Sequence, residues 1–393
     1  IVYARLGRQD VDGRPGLNQT TFLNKRGASL RIKAFGKLGL YTEVTDNQAR
    51  FPFHVDQLIQ ERQAIPGAGF FKRFKDDGYD FLLAKGYLTY SPVRAVRIKF
   101  GLDNAAVGHG QQRLLLNDHA ADHLLLNLRT RFWKLEYVNH FTQLIDFIPN
   151  KPDNFGIQPR KYATHHALYY RPSSRFSIGF FESIVYASRL PNENRRFELQ
   201  YLNPLIFFRS IEQYTGSPDN ALMGLDLKAN LFRRLQVFGQ FFLDDFNFSR
   251  RDEGKNFWGN KFAFQLGGKW INAFGMPTLD LEAEFNQIRP FMYSHTNAAN
   301  AFSNYGQPLA HPLGANLREV VGRVRFRPLP RLNLVLTGGL VQTGTDTAGL
   351  NFGSNIFRSN AFHDNGEANP DFGHEVGQGR ERTISRVRAR LSY

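Results

Sequence analysis

The chain contains no cysteine, which excludes a disulfide scaffold, a thiolate metal site, a cysteine nucleophile and a cysteine-linked lipid anchor. It also has no apolar run near the ~18 residues that a membrane-crossing helix needs. A helical span is therefore excluded, and a crossing built from strands is not. The opening IVYARLG lacks the basic start and continuous apolar stretch of a secretory signal. If the protein is exported, this predicts a mature or trimmed chain. No recognition helix, zinc finger or RNP-like motif accompanies the net charge of +15, so nucleic acid is not an expected partner. There is no G-x-S-x-G or comparable nucleophile context, and no enzymatic role or cofactor is expected.

What is abundant is aromatic and cationic. The 393 residues include 37 phenylalanines and 15 tyrosines, a composition suited to strands with much apolar surface to place. Yet 22% of residues are charged and the mean hydropathy is −0.41. A transmembrane β-barrel reconciles the two, because only every second strand residue meets lipid and the loops are polar.

The terminal ISRVRARLSY shows the pattern most plainly. On a strand, Arg386, Arg388 and Arg390 share one face, and Val387, Ala389, Leu391 and Tyr393 share the other. The alternation recurs. Leu30, Ile32, Ala34, Leu38 and Leu40 oppose Arg31, Lys33, Lys37 and Glu43 within 30–44, and Val96, Ile98 and Phe100 oppose Arg97 and Lys99. Leu225, Leu227, Ala229 and Leu231 oppose Asp226, Lys228 and Asn230. Leu279, Leu281, Ala283 and Phe285 oppose Asp280, Glu282, Glu284 and Asn286, and Val320, Val324 and Phe326 oppose Arg323, Arg325 and Arg327. A soluble sandwich gives the same alternation segment by segment, so connection lengths decide. Tight links at 90–94, 171–175, 231–235, 272–277 and 327–331 alternate with long polar stretches at 46–78, 247–259, 289–316 and 344–382. Short turns on one side and long loops on the other are the asymmetry of outer-membrane barrels.

The expected fold is thus all-β: one domain over 1–393, a closed antiparallel transmembrane barrel of about 16–18 strands in the bacterial outer membrane. Short turns would be periplasmic, and the loops 46–78, 289–316 and 344–382 extracellular or folded into the mouth. Parity requires an even number of strands between successive short turns. Segments 175–187, 197–203 and 222–231 leave an odd count, which a turn at Asn203-Pro204 and a fourth strand over 205–213 would repair. Residues 111–116 read as a short strand or an inward-folded segment. Closure removes the sheet edges that lipid cannot satisfy, and a final aromatic, Tyr393, is common in the last strand of such barrels.

The stretches KYATHHALYY (161–170), GFFESIVY (179–186), RRFELQYLNPLIFFRSIEQYTGSPDNALMGLDLK (195–228), WGNKFAFQLGGKW (258–270) and YGQPLAHPLGAN (305–316) resemble the capsule-assembly Wzi-like family, and more closely its gliding-motility RemB-type branch. The resemblance spans roughly 85–327. It implies an outer-membrane barrel of about 18 strands, without catalysis, whose capsule branch holds surface polysaccharide at the cell. That branch also carries a periplasmic helical segment, and no long amphipathic helix stands near the start here.

Two loops gather oxygen ligands of the kind calcium uses, His363, Asp364, Glu367, Asp371 and His374 in one and DVDGRPGLN (10–18) in the other. Neither matches a known metal spacing, and both read as solvated loops. His165 and His166 fall on opposite faces of a strand and cannot share an ion. In QPLAHPLGAN the two prolines and Gly314 impose a rigid path, which either plugs the mouth or presents a glycan or partner surface. SPDNA (217–221) reads as a turn. Candidate polysaccharide or partner contacts are Trp258, Arg289, Tyr293, His295, Tyr305, His311 and Asn316, with Arg323, Arg325, Arg386, Arg388 and Arg390 as lumen cations. Expected partners are outer-membrane lipid and lipopolysaccharide, an acidic surface polysaccharide, and other outer-membrane or periplasmic assembly proteins. Three functions stay open: polysaccharide binding or capsule assembly, an accessory role in an adhesin, gliding or secretion assembly, and an anion-preferring diffusion porin. A long polymer is expected to meet the rim cations Arg289, His295 and His311 before the lumen arginines.

Overall fold

The computed structural model describes the chain except residues 1, 10–18, 76, 147, 149–157, 188, 191–192, 195–196, 204–215, 217–218, 251–255, 348 and 362–370. The period-two segments become one 17-stranded sheet. In chain order its strands are β1 (Val2–Gln9), β2 (Gln19–Ala34), β3 (Leu38–Arg50), β4 (Lys72–Phe74), β5 (Gly78–Val93), β6 (Val96–Asp103), β7 (His123–Phe132), β8 (Leu135–Ile145) and β9 (Arg160–Ser173). They continue as β10 (Phe176–Ala187), β11 (Asn220–Leu231), β12 (Leu235–Asp245), β13 (Lys261–Trp270), β14 (Leu279–Ile288), β15 (Leu317–Leu329), β16 (Leu332–Thr345) and β17 (Arg380–Ser392). The three-residue β4 is a side branch on β5, and every other strand runs antiparallel to the one before it.

The connections alternate strictly. Those at 35–37, 94–95, 133–134, 174–175, 232–234, 271–278 and 330–331 are short and share one end of the sheet, while the connections at the other end are longer, apart from the 75–77 link between the side branch β4 and β5. Two of these short turns carry no signal in the sequence. The alternation over 30–44 runs unbroken across 35–37, where Phe35 and Gly36 adopt positive φ, because the register Ala34↔Leu38 keeps the same face apolar on both strands. The parity expectation is corrected too. Strand β10 pairs directly with β11, from Phe176↔Ala229 to Val185↔Asn220, leaving no place between them for two further strands. Residues 199–202 form a 3-10 turn instead, and 205–213 lie outside the described residues. The polar loop expected at 46–78 is shorter, since β3 reaches Arg50, and it holds a helix, α1 (Phe53–Arg62). Ile59 of α1 is buried with Ala49, Ile65, Tyr79 and Phe81.

The facing follows the alternation. Val387, Leu391 and Tyr393 are 79%, 66% and 88% exposed on the outer side, with Leu225, Leu266, Val320 and Leu336 exposed on other strands. Inward lie polar groups, among them Asn127, Asp226, Gln240, Gln265, Glu284 and Glu319, all buried. Arg386 faces inward with Glu319, which it reaches at 2.5 Å. His165 stacks inward on Phe181, and His166 lies outward beside Tyr137 and Phe141. One sector of the outer side is covered rather than exposed. Ile184 and Tyr186 are buried against Tyr201 of the 188–219 connection, whose hydroxyl donates to Asp219 at 2.7 Å. Asp219 thereby gains a structural role beyond its turn.

Val387 lies near the middle of β17, and Leu391 next to its end. In a membrane-folding assay, Val387→Arg should therefore cost ~2–4 kcal/mol and Leu391→Arg only ~0–1 kcal/mol. Equal costs would show that the outer face of β17 does not meet a lipid interior.

Candidate functional site

Among the described residues, two connections turn inward to fill the space the sheet curves around, and Ile356 of a third packs into the same core. The first is 104–122. The amides of Gln111 and Gln112 donate to the two carboxylate oxygens of Glu284 at 2.6 and 2.9 Å, and that of Leu114 donates to Gln240 Oε1 at 2.8 Å. Gln240 Nε2 in turn donates to the Val107 carbonyl at 2.9 Å and to Asp226 Oδ1 at 3.0 Å. The fit requires glycine at Gly108, with φ +122°, where a Cβ would lie 2.1 Å from the Gln240 amide. Thus a segment leaving β6 is bound by side chains of β11 to β14, far along the sheet. The sheet must curl for these to meet.

The second, 289–316, lies nearer the long-loop end. Lys161 Nζ donates to the carbonyls of Ala301 and Ala299 at 2.9 and 3.2 Å and to Ser303 Oγ at 2.8 Å, using all three protons. Lys261 pairs with Asp244 at 2.7 Å, and Asp244 Oδ2 accepts from the Tyr293 amide at 2.7 Å. Asn300 Oδ1 accepts from the Ala187 amide at 2.8 Å, and Asn304 Oδ1 from the Ile145 amide at 3.0 Å. Between these clips sits an apolar core. Phe242 contacts Phe181, Phe302 and Tyr293 with ring centroids 5.7, 5.8 and 5.9 Å apart. The Tyr293 hydroxyl donates to the Leu114 carbonyl at 3.0 Å, joining the two segments.

A third knot ties the upper segment to the last strand. Glu319 accepts from His311 Nε2 at 3.0 Å, from Asn286 Nδ2 at 3.1 Å and from Arg386 Nη2 at 2.5 Å. The Leu313 amide donates to His311 Nδ1 at 3.3 Å, which places the ring proton on Nε2, facing the carboxylate.

These contacts redistribute the residues singled out in the sequence. Tyr293, His311 and Asn316 are fully buried with their polar groups engaged, so they hold the filled interior together rather than line a surface. Asn316 donates to the Gly344 and Gln378 carbonyls and accepts from the Gly377 amide at 2.7 Å. Arg289 donates to the carbonyls of Phe257 and His374 at 3.3 and 3.2 Å, and its burial lowers its pKa. Trp258 packs between Phe257 and Phe291, and Tyr305 against Gly69, where a Cβ would stand 3.1 Å from its ring. His295 Nδ1 accepts from the Asn297 amide at 3.1 Å, and burial pulls its pKa down to about 4. Of the three expected rim cations, then, Arg289 is engaged, His295 is neutral at pH 7 and His311 is buried. Among the described residues no cluster could hold a metal ion. Residues 10–18 and 363–370 lie outside them, Asp371 pairs with Arg250 at 3.1 Å, and His374 bonds Gln378 at 3.0 Å.

The long-loop end carries a cleft of about 380 Å³ that the sequence did not signal. Glu61, Arg62, Asp146, Ser303, Asn355 and Phe357 line it, from four separate connections. Arg62 lies over the Phe357 ring, 4.9 Å from its centroid, and donates to the Gly306 carbonyl at 3.4 Å. Carboxylates, an amide, a hydroxyl and an aromatic ring around a shallow space are groups suited to a polyhydroxylated ligand. The inward cations Arg323, Arg325, Arg388 and Arg390 occupy the opposite, short-turn half, in cross-strand rows Arg323↔Thr337↔Arg388 and Arg325↔Val335↔Arg390.

The filling segments should loosen in acid. Burial, with Lys228 and Lys269 adding to it at His109 and Lys261 at His295, pulls the pKa values of His109, His119 and His295 to about 4. Their ordinary value is 6.5. Each group binds its proton less readily when packed, so its contribution is complete above pH 6.5 and lost as pH falls toward about 4. Hydrogen exchange of 104–122 and 289–316, corrected for intrinsic rates, should rise between pH 7 and 4.5. Unchanged protection would contradict this electrostatic account.

No family model matches the chain, and no curated protein sequence matches it. Among solved structures, it is similar to Wzi, an outer-membrane protein involved in group 1 capsule assembly in Escherichia coli and described as a carbohydrate-binding β-barrel. The TM-score is 0.53 and the identity 11%, over 87% of this chain and 69% of that one. It is also similar to a Rh. blastica porin, at TM-score 0.38 and 10% identity over 86% of this chain and 92% of that one. Salmonella typhi OmpF gives TM-score 0.43 and 10% identity over 99% and 95%. At such identity the first likeness shows the fold alone, a β-barrel architecture, and the two porins carry no further argument. None of these structures is described as a gliding-motility protein.

Proposed function

We propose that this chain is a closed, non-enzymatic barrel of the bacterial outer membrane that binds surface polysaccharide at its long-loop, extracellular face. The observation that carries this reading is the filled interior. Segments 104–122 and 289–316 meet across it through Tyr293 and Leu114, around the Phe242 core. A diffusion porin needs a wet path there, whereas a binding protein needs only a rigid platform. The cleft beside Phe357 is the groove on that platform, and the description of Wzi as carbohydrate-binding supports the choice of ligand. The apolar outer face would meet lipid and lipopolysaccharide.

A second reading, an assembly subunit of adhesin, gliding or secretion machinery, draws on the other end. The short-turn tips expose Phe35, Trp133, Phe232 and Phe274 at 94%, 72%, 90% and 69%. These rings suit the membrane interface or a periplasmic partner. The deciding experiment pairs planar-bilayer recording with binding of purified capsular polysaccharide. A nearly silent protein that binds polysaccharide, and loses most of that binding with Phe357→Ala, fits the proposal. Steady conductance of the parent protein would instead favour the porin, and absent polysaccharide binding the assembly subunit.

A further inference from the structure

The filled interior has a consequence for the short-turn half of the barrel. Its acidic groups are already engaged there, and its cations are in excess. Glu136 alone serves three guanidiniums, Arg129 at 3.3 Å, Arg171 at 2.9 Å and Arg131. Glu282 is shared by Lys269 and Arg323 at 3.2 and 3.3 Å. Asp103 is held between Lys85 and Lys99. Arg97, Arg327, Arg388 and Arg390 stand on the same inward face, exposed and without an ion pair among the described residues, and Arg325 faces Asp280 across the strands without closing one. Arg97 lies directly across from Arg129, a like-charged pairing that costs stability unless an anion bridges it.

We propose that this half is a second binding site, a blind cationic chamber that receives the end of a uronate-bearing glycan from the short-turn, periplasmic side. This deepens the polysaccharide reading and rests on it. The chamber is closed from above by 104–122, so its occupant enters from below. Guanidiniums predominate among the unpaired cations, and their planar fork matches carboxylates two bonds at a time. The opposite wall adds ring surface beside charge. Tyr41 and Tyr87 pair at 5.3 Å, with Arg31 over the first ring at 5.1 Å and Lys99 over the second at 4.3 Å. An acidic sugar presents the matching combination, an apolar ring face and a carboxylate.

The test uses the full chain in detergent with a short oligogalacturonate as probe. Arg325→Gln, Arg388→Gln and Arg390→Gln together should weaken binding at least tenfold at ~0.1 M salt, where the Debye length is ~10 Å, and much less at 1 M, where it is ~3 Å. Because the chain has no cysteine, Thr337→Cys makes a single reporter between Arg323 and Arg388. On an otherwise unchanged chain it should be labelled by a thiol reagent admitted from the periplasmic side, not from outside intact cells, and oligogalacturonate should protect it. Labelling from outside, no protection, or unchanged binding by the triple variant would overturn the chamber. Equal protection by polyglutamate of matched charge would overturn the sugar assignment. Failure of the surface reading appears separately, as Phe357→Ala leaving capsular binding unchanged while Thr337→Cys protection persists.

Discussion

Replacing residues 291–314 with a short Gly-Ser link, and 104–122 with another, should turn a nearly silent protein into a steadily conducting, anion-preferring pore. The first replacement removes Phe302 and Tyr293 from the core around Phe242 and Phe181, together with the clips from Lys161 and Asp244. The second frees Gln240 and Glu284 from the backbone they now hold. The barrel wall should survive both, because its strands pair through their own backbones in unbroken antiparallel order. Conductance should rise in two steps, since each segment obstructs a different level. Anion preference follows from Arg325, Arg388 and Arg390 lining the path that remains. If both replacements fold and the bilayer stays silent, these segments are not what closes the interior.

Glu319→Ala should be among the most destabilising single substitutions in the wall, at ~3–5 kcal/mol. The carboxylate is wholly buried and collects His311, Asn286 and Arg386 from three elements. Its removal leaves the buried His311 Nε2 proton without an acceptor and Arg386 without its partner. The lower part of that range is expected, because Arg386 is 42% exposed and water can take over its share. Glu319→Gln keeps an acceptor oxygen and should cost less than half as much. Urea unfolding of the refolded barrel compares the two. Equal losses would mean that the packing volume of residue 319 matters and its charge does not.

The two expectations differ in how far the sequence announces them. The inward facing of Arg386, Arg388 and Arg390 is legible in ISRVRARLSY, because side-chain alternation needs no information beyond neighbouring residues. Turn asymmetry is nearly as open, through the Pro- and charge-rich short links. It fails at 133–134, where Trp133 and Lys134 carry no turn signature, and at 35–37, where the turn preserves the apolar period. The odd count between 175 and 231 shows the same limit from the other side. FELQYLN (197–203) has strand-like composition, yet the register of β10 on β11 excludes it from the sheet there.

Of the candidate site, QPLAHPLGAN reads in the sequence as a rigid segment that either plugs the mouth or presents a glycan or partner surface, and its Leu309, Ala310 and His311 are buried in the structure. Tyr293, His311 and Asn316 read as polar groups fit for a ligand, and their ligands are the chain itself. The cleft lining has no sequence signal, since Arg62 and Phe357 come from loops nearly three hundred residues apart.

By itself, the sequence determined the features that local periodicity dictates: strands, their two faces, and the alternation of short and long connections. These depend on a side-chain period of two and on turn chemistry, and both act over a few residues. Only the tertiary structure decided whether the inward face would be a channel or a filled core. That outcome rests on Lys161 meeting Ala301, Gln240 meeting Leu114 and Glu284 meeting Gln111 across the curled sheet. Such pairings carry no period along the chain. They arise only when curling of the sheet brings distant polar groups together in a space where an unsatisfied one costs more than any local preference can repay.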